Sequence, residues 1–171
     1  MGYQGPKGAR RAGLLGEGLL SFDRDLWEPY RSGLVEAGHD PADGRMAGAL
    51  QAWVTEDPER DWPVVSKHVA HQLDSYRRHM VEGTDEPVPR PVDPDKLRQR
   101  DSRQALSYFL YGTPEDVAAW VRQATDGAPV ETVFLWASIS GMTEALVADH
   151  VRLVCTRLAP LLRVANVRGA E

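Results

Sequence analysis

The sequence predicts an α/β fold with a parallel sheet and crossover helices, which an open doubly wound sheet and a (β/α)8 barrel both satisfy, with about four to five strands present. Three observations carry that reading. Strand-like and helix-like segments alternate along the chain, the pattern of βα units. The strand segments are near-continuous apolar runs, such as Tyr108-Phe109-Leu110-Tyr111 and Val133-Phe134-Leu135-Trp136, as in sheets covered on both faces. A glycine-rich turn stands where a strand stub feeds a helix, at Gly5-Pro6-Lys7-Gly8.

That turn comes first in the chain. Tyr3-Gln4 reads as the end of a strand. Gly5 can take backbone angles closed to other residues. Pro6 suits the first helical position, where its missing N–H would have no partner anyway. The N–H groups of Lys7 and Gly8 then point out of the helix start, and with the helix dipole they favour an anion such as a phosphate. Lys7 adds positive charge. A glycine–proline helix start without a ligand is the plainer reading of this turn alone. Gly13, Gly16 and Gly18 are expected to permit close helix–strand approach and a tight return. A strand–turn–helix unit of this kind normally sits inside a protein, so the chain reads as the C-terminal part of a larger one.

Gly18–Phe22 is then a short strand, and Asp25–Ala37 a helix ended by Gly38. Pro29 falls near its first turn, where proline is tolerated. Arg45–Thr55 is a second strand. Asp57–Met80 is a long helix whose apolar positions Trp62, Val65, Val69, Leu73, Tyr76 and Met80 recur three or four apart, as one buried face requires. Gly83–Gln104 carries Pro87, Pro89, Pro91 and Pro94 among many charges. It reads as an exposed insert with one helical turn near Lys96. Ala105–Tyr111 is a third strand. Thr113–Ala124 is a helix with Thr113 as its cap, Pro114 in first position and Asp116 three residues past the cap. Val130–Trp136 is a fourth strand, and Thr143–Val164 a closing helix bent or broken at Pro160.

Composition narrows the function. The chain has 171 residues, 42% of them hydrophobic, enough for one core. We read residues 1–171 as a single domain. A net charge of −5 argues against a nucleic-acid partner. The lone Cys155 excludes a disulfide framework and reads as a small buried residue in an apolar helical pattern. The lack of a signal segment or long apolar span points to a soluble cytoplasmic protein.

The segments together resemble the bacterial luciferase-like flavin-dependent oxidoreductases, which are TIM barrels, and the resemblance implies that residues 1–171 are a single, partial (β/α)8 barrel domain, its C-terminal part. Three stretches carry the resemblance over nearly the whole chain: Gly5-Pro6-Lys7-Gly8-Ala9 through Ala12–Gly18; Tyr30–Pro41 with its ending Glu36-Ala37-Gly38-His39-Asp40-Pro41; and Leu110-Tyr111-Gly112-Thr113-Pro114-Glu115-Asp116-Val117 with the final Leu158–Arg163. The Gly16-Glu17-Gly18 run and the long insert look most similar to the deazaflavin-using branch, which includes a sugar-phosphate dehydrogenase. The resemblance implies coenzyme F420 as cofactor, with FMN the alternative. It implies that Gly5, Pro6, Lys7 and Gly8 hold the cofactor phosphate. It places Arg24 and Lys96 where basic residues of the sugar-phosphate enzyme grip the substrate phosphate. At the third such place stands Ser107, a departure that weakens a sugar-phosphate substrate.

The family's first strands supply the groups around the flavin ring, and no catalytic acid or base is assignable here. Gln51, Trp53 and Thr55 alternate in direction along the second strand, so some face the barrel interior. Trp53 is therefore a candidate substrate contact as well as a candidate core residue. His68 and His71 lie three apart, as paired metal ligands can, but without supporting cysteines they read as a solvated helix face, and no metal site is assigned. Ser138-Ile139-Ser140-Gly141 follows the last strand, and Ser140 reads as a helix cap or as a second phosphate contact. Two functions stand: a luciferase-like oxidoreductase represented by its C-terminal part, and a non-catalytic binding subunit. Unpaired strand edges at the stub and at Val130–Trp136 favour a homodimer or an N-terminal-half partner chain.

Overall fold

A computed structural model describes residues 1–2, 5–99 and 109–166. In chain order its elements are α1 (Gly5–Leu14), β1 (Leu19–Leu20), α2 (Trp27–Glu36), β2 (Met46–Leu50), β3 (Ala52–Val54), α3 (Pro58–Val81), β4 (Leu110–Gly112), α4 (Pro114–Thr125), β5 (Val130–Leu135), α5 (Glu144–Leu153) and α6 (Ala159–Asn166). The expected second strand is thus two strands, parted at Gln51. The expected third strand is seen only from its end; its start, Ser107 included, and the Tyr3-Gln4 stub lie outside the described residues. All strand pairs are parallel. They form a three-stranded sheet, β1-β2-β5, and a two-stranded one, β3-β4. Neither is a closed barrel among the described residues.

The chain divides into two compact units. The first comprises Met1–Gln51 and Ala118–Leu135, the second Ala52–Val117 and Trp136–Val164. In the first unit, α1 and α2 pack on one face of the three-stranded sheet. Ala9 and Ala12 of α1, Tyr30 and Leu34 of α2, Leu19 of β1 and Met46 of β2 form its core. Side chains alternate across a sheet, and the opposite face carries Leu20, Ala47, Ala49 and Phe134. Leu20 is 52% exposed and Phe134 45%. Cover on both faces, expected from the apolar runs, is therefore found on one among the described residues.

Gly13 departs from its expected role. It brings helix to helix, not helix to strand: a Cβ there would stand 2.1 Å from Tyr30 O of α2. Gly33 reciprocates, its Cβ position 2.1 Å from Arg10 O of α1. An Arg10–Glu36 ion pair joins the same two helices.

The second unit is built around α3. Asp57 caps it by accepting from Arg60 N–H. Val65, Val69 and Leu73 are buried with Trp53 and Ile139, and Val92 and Leu97 of the insert pack on them. The insert is tied to α3 by Val92 N–H donating to Asp74 Oδ1 (2.9 Å) and by Arg77 donating to Arg90 O (3.0 Å). Its helical turn is a 3-10 segment, Pro94–Gln99. The last turns of α3 do not follow the expected stripe, for Tyr76 is exposed and Met80 is 80% exposed.

The start of α4 follows its sequence signature. Thr113 N–H donates to Asp116 Oδ2 (3.1 Å), and Asp116 N–H donates to Thr113 Oγ1 (3.2 Å). This reciprocal pair satisfies two backbone donors. Thr113→Ala is expected to cost about 1 kcal/mol, read as a lower denaturant midpoint, with Thr113→Ser retaining most of it.

The closing helix is not broken at Pro160. Between α5 and α6 lies one π-helical stretch, Val154–Leu158, in which Ala159 N–H donates to Val154 O five residues back. Proline lacks an N–H and clashes with the carbonyl four residues earlier, and the widened turn just before it removes that conflict. Cys155 lies in this stretch and is exposed, not buried.

Candidate functional site

The glycine–proline turn is the start of α1. Gly5 has φ +70°, the left-handed region that glycine enters without penalty. A Cβ placed on it would meet no atom within 4 Å, so the backbone there borders open space. Lys7 N–H belongs to the first turn of α1, whose backbone donors have no intrahelical carbonyl to receive them. That turn carries no acidic residue. Pro6 and Lys7 are exposed, while Ala9 and Ala12 on the other side are buried. Packing thus fixes the helix by one face and leaves its N-terminal donors and the Lys7 ammonium outward. Such a constellation can hold an anion. It contains no acid or base for proton transfer.

Arg24 lies in the first unit, in the short 3-10 segment Arg24–Leu26 ahead of α2. Its Nη1 donates to Gln123 O (3.2 Å) near the end of α4, a favourable place for a cation. Lys96 lies in the second unit, exposed, 3.5 Å from Asp93 Oδ2. Trp53 is 2% exposed and stacks on His150, ring centroids 4.1 Å apart and planes 10° from parallel. Of its two readings the geometry supports packing. Thr55 is also buried, its hydroxyl donating to Asp61; Arg60 above all, and Thr55, hold that carboxyl below its usual range.

Ser140 is not the cap of α5. Thr143 is, its hydroxyl accepting from Leu146 N–H, while Ser140 O receives His68 Nδ1 at 3.2 Å. Among the described residues no group of three His, Cys, Asp or Glu is placed to hold a metal.

The residue that sequence reading passed over is His150, 1% exposed. Nδ1 lies 3.0 Å from Val54 N, and Nε2 lies 3.2 Å from Trp136 O. The carbonyl only accepts, so Nε2 carries the proton and Nδ1 accepts from Val54 N–H. Burial pushes the imidazole pKa below its ordinary value, against the opposing pull of the Val54 and Trp136 carbonyls. A signal was present: His150 occupies an apolar-stripe position of α5, four residues after Leu146 and three before Leu153.

No protein-family model matches the chain, and no curated protein sequence does. Solved structures do. One is the oxygenating constituent of 3,6-diketocamphane monooxygenase from the CAM plasmid of Pseudomonas putida, a type II Baeyer-Villiger monooxygenase in complex with FMN. It matches with a TM-score of 0.58 and 19% identity over 91% of this chain and 45% of its own. Another is an F420-dependent secondary alcohol dehydrogenase in complex with an F420-acetone adduct, with a TM-score of 0.52 and 17% identity over 93% of this chain and 47% of its own. The chain therefore spans about half the length of these structures and shares the fold of that half. This likeness agrees with the luciferase-like resemblance of the sequence, and the two structures hold the two cofactors that the resemblance implies. No helix among the described residues is long and apolar enough to cross a membrane.

Proposed function

We propose that this chain is the cofactor-phosphate-binding part of a luciferase-like oxidoreductase that uses coenzyme F420, with FMN the alternative, on a small-molecule substrate. The observation that carries the proposal is the fold likeness over more than nine-tenths of the chain to two oxidoreductases, one with FMN and one with an F420 adduct. The open helix start fits the phosphate end of either cofactor. When bound, the flavin or deazaflavin ring supplies hydride transfer. Gly5, Pro6, Lys7 and Gly8 bind and orient the phosphate, and Arg24 and Lys96 are offered as substrate-phosphate contacts. The barrel belongs to this reading: the exposed face bearing Leu20, Ala49 and Phe134 is the one that further barrel strands would cover. A second reading, a binding subunit without catalysis of its own, is favoured by His150. It is a buried imidazole suited to proton transfer, yet both its nitrogens are engaged by backbone. A homodimer or an N-terminal-half partner chain would then complete the site.

Titration of the purified protein with coenzyme F420 and with FMN, followed by fluorescence quenching, tests the reading. Saturable binding of one is expected. Gly5→Val is expected to weaken it roughly five- to thirtyfold, since a side-chain-bearing residue leaves the left-handed backbone, worth about 1–2 kcal/mol, and takes the donor geometry with it, every 1.4 kcal/mol being tenfold. The added side chain meets open space, so the variant bears only that backbone cost and should still fold, its melting temperature lower by roughly 2–8 °C at about 2–4 °C per kcal/mol. Equal affinity in a folded Gly5→Val variant would remove the turn from the proposal.

A further inference from the structure

We propose that His150 is a proton-operated latch, closed when the ring is neutral, that fastens α5 to β3 and to the chain leaving β5. Three contacts define it, all within the second unit. Trp53 of β3 covers one ring face at 4.1 Å. Nδ1 accepts from Val54 N–H, and Nε2–H donates to Trp136 O. This set is complete only for the neutral Nε2–H form. In the imidazolium both nitrogens are donors, and the new Nδ1–H would face Val54 N–H, donor against donor. Val54 O, 3.4 Å from Nδ1, is the other acceptor within reach, so the charged ring exchanges its bond from Val54 N–H for a longer one to the carbonyl of the same residue.

Among the described residues no charged side chain offsets a cation there. Burial lowers its pKa, against the opposing pull of the Val54 and Trp136 carbonyls. From α3 the residues packed on this cluster are Val65, Val69 and Leu73, and His68 of that helix is bonded elsewhere, to Ser140 O. From β4 comes Tyr111, whose hydroxyl donates to Pro58 O. On α5 itself Asp149 pairs with Arg152, which also reaches Glu56 after β3, and all three are exposed. A cation on the Trp53 face gains some attraction, but the lost acceptor and the desolvation of the ring oppose it.

The sign follows from linkage. With the folded pKa below the unfolded one, the unfolded chain binds more protons between the two values, so stability rises with pH there. The latch contributes fully above the unfolded value of about 6.5 and loosens as pH falls below it.

The test is amide hydrogen exchange at Val54, together with tryptophan fluorescence, on the full chain between about pH 8 and pH 5. After correction for intrinsic exchange, Val54 is expected to exchange at least tenfold faster at the acid end, with a midpoint below 6.5. His150→Gln keeps a donor and an acceptor but does not titrate, so it should stay closed throughout and lose the acid step. His150→Ala should lack Val54 protection at every pH; if it fails to fold, His150→Gln still decides. The same acid step in His150→Gln, or none in the wild type, would overturn the latch.

Discussion

Gly33→Ala is expected to lower the melting temperature by roughly 6–12 °C, which differential scanning calorimetry would read directly. The added methyl carbon would stand 2.1 Å from Arg10 O and 2.9 Å from Leu14 N, where a carbon–oxygen contact normally needs about 3.3 Å or more. Both obstacles are backbone, so no side chain can swing aside. α1 and α2 must separate by about 1 Å, opening the core of Ala9, Ala12, Tyr30 and Leu34 between them. Overpacking costs about 1–3 kcal/mol, and backbone obstacles place this case at the upper end. At about 2–4 °C per kcal/mol for a chain of this size, that gives the stated shift. Gly13→Ala should behave alike, its new carbon 2.1 Å from Tyr30 O and 2.7 Å from Leu34 N. The double variant should cost less than the sum, because one separation relieves both clashes. Gly38 has φ +79° but open space around it, so Gly38→Ala should cost only the backbone penalty of about 1–2 kcal/mol. A Gly33→Ala midpoint within 2 °C of the wild type would contradict the close crossing.

What was legible in the sequence divides along the range of the forces involved. The Thr113-Pro114-Glu115-Asp116 cap, the Asp57 start of α3 and the left-handed Gly5 are local, and each was readable because the residues that interact are within a few positions. The Gly13–Gly33 crossing is not local. Neither glycine signals it alone, and Gly13 was read as serving a strand because a strand comes next in the chain. His150 fails for a related reason. Its partners Val54 and Trp136 are backbone groups far off in sequence, and backbone bonds leave no mark in residue types. Cys155 was misjudged because a regular helix was assumed where Pro160 imposes a wider turn, which rotates the side chains before it. Of the candidate site, the turn at Gly5–Gly8 was legible as a helix start. The ring-binding and substrate-binding groups were not, since Arg24, Lys96 and Trp53 carry no pattern that separates a ligand contact from a helix-end bond, a surface ion pair or a core ring.

Trp53→Ala decides between the two roles read for that residue, and it is expected to destabilise the chain by about 3–5 kcal/mol, as loss of a buried aromatic does. That is a large part of the 5–15 kcal/mol available to a typical domain. The indole fills the centre of the cluster formed with Val65, Val69, Leu73 and Ile139 and carries His150 on its face. Its removal leaves a cavity and frees the imidazole from one side. Trp53→Phe keeps an aromatic face and most of the volume, so it should cost clearly less. Chemical denaturation of the three proteins, run beside the cofactor titration, separates the roles. A packing residue lowers the midpoint in the order wild type, Phe, Ala, and leaves the affinity of the still-folded Trp53→Phe variant unchanged. A substrate contact would instead change ligand binding in Trp53→Phe while its midpoint stayed that of the wild type, and it would require the indole to leave the core. With the ring 2% exposed and stacked on a histidine held by two backbone bonds, that departure would break the same contacts that position β3 and α5, so the packing order is the expected one.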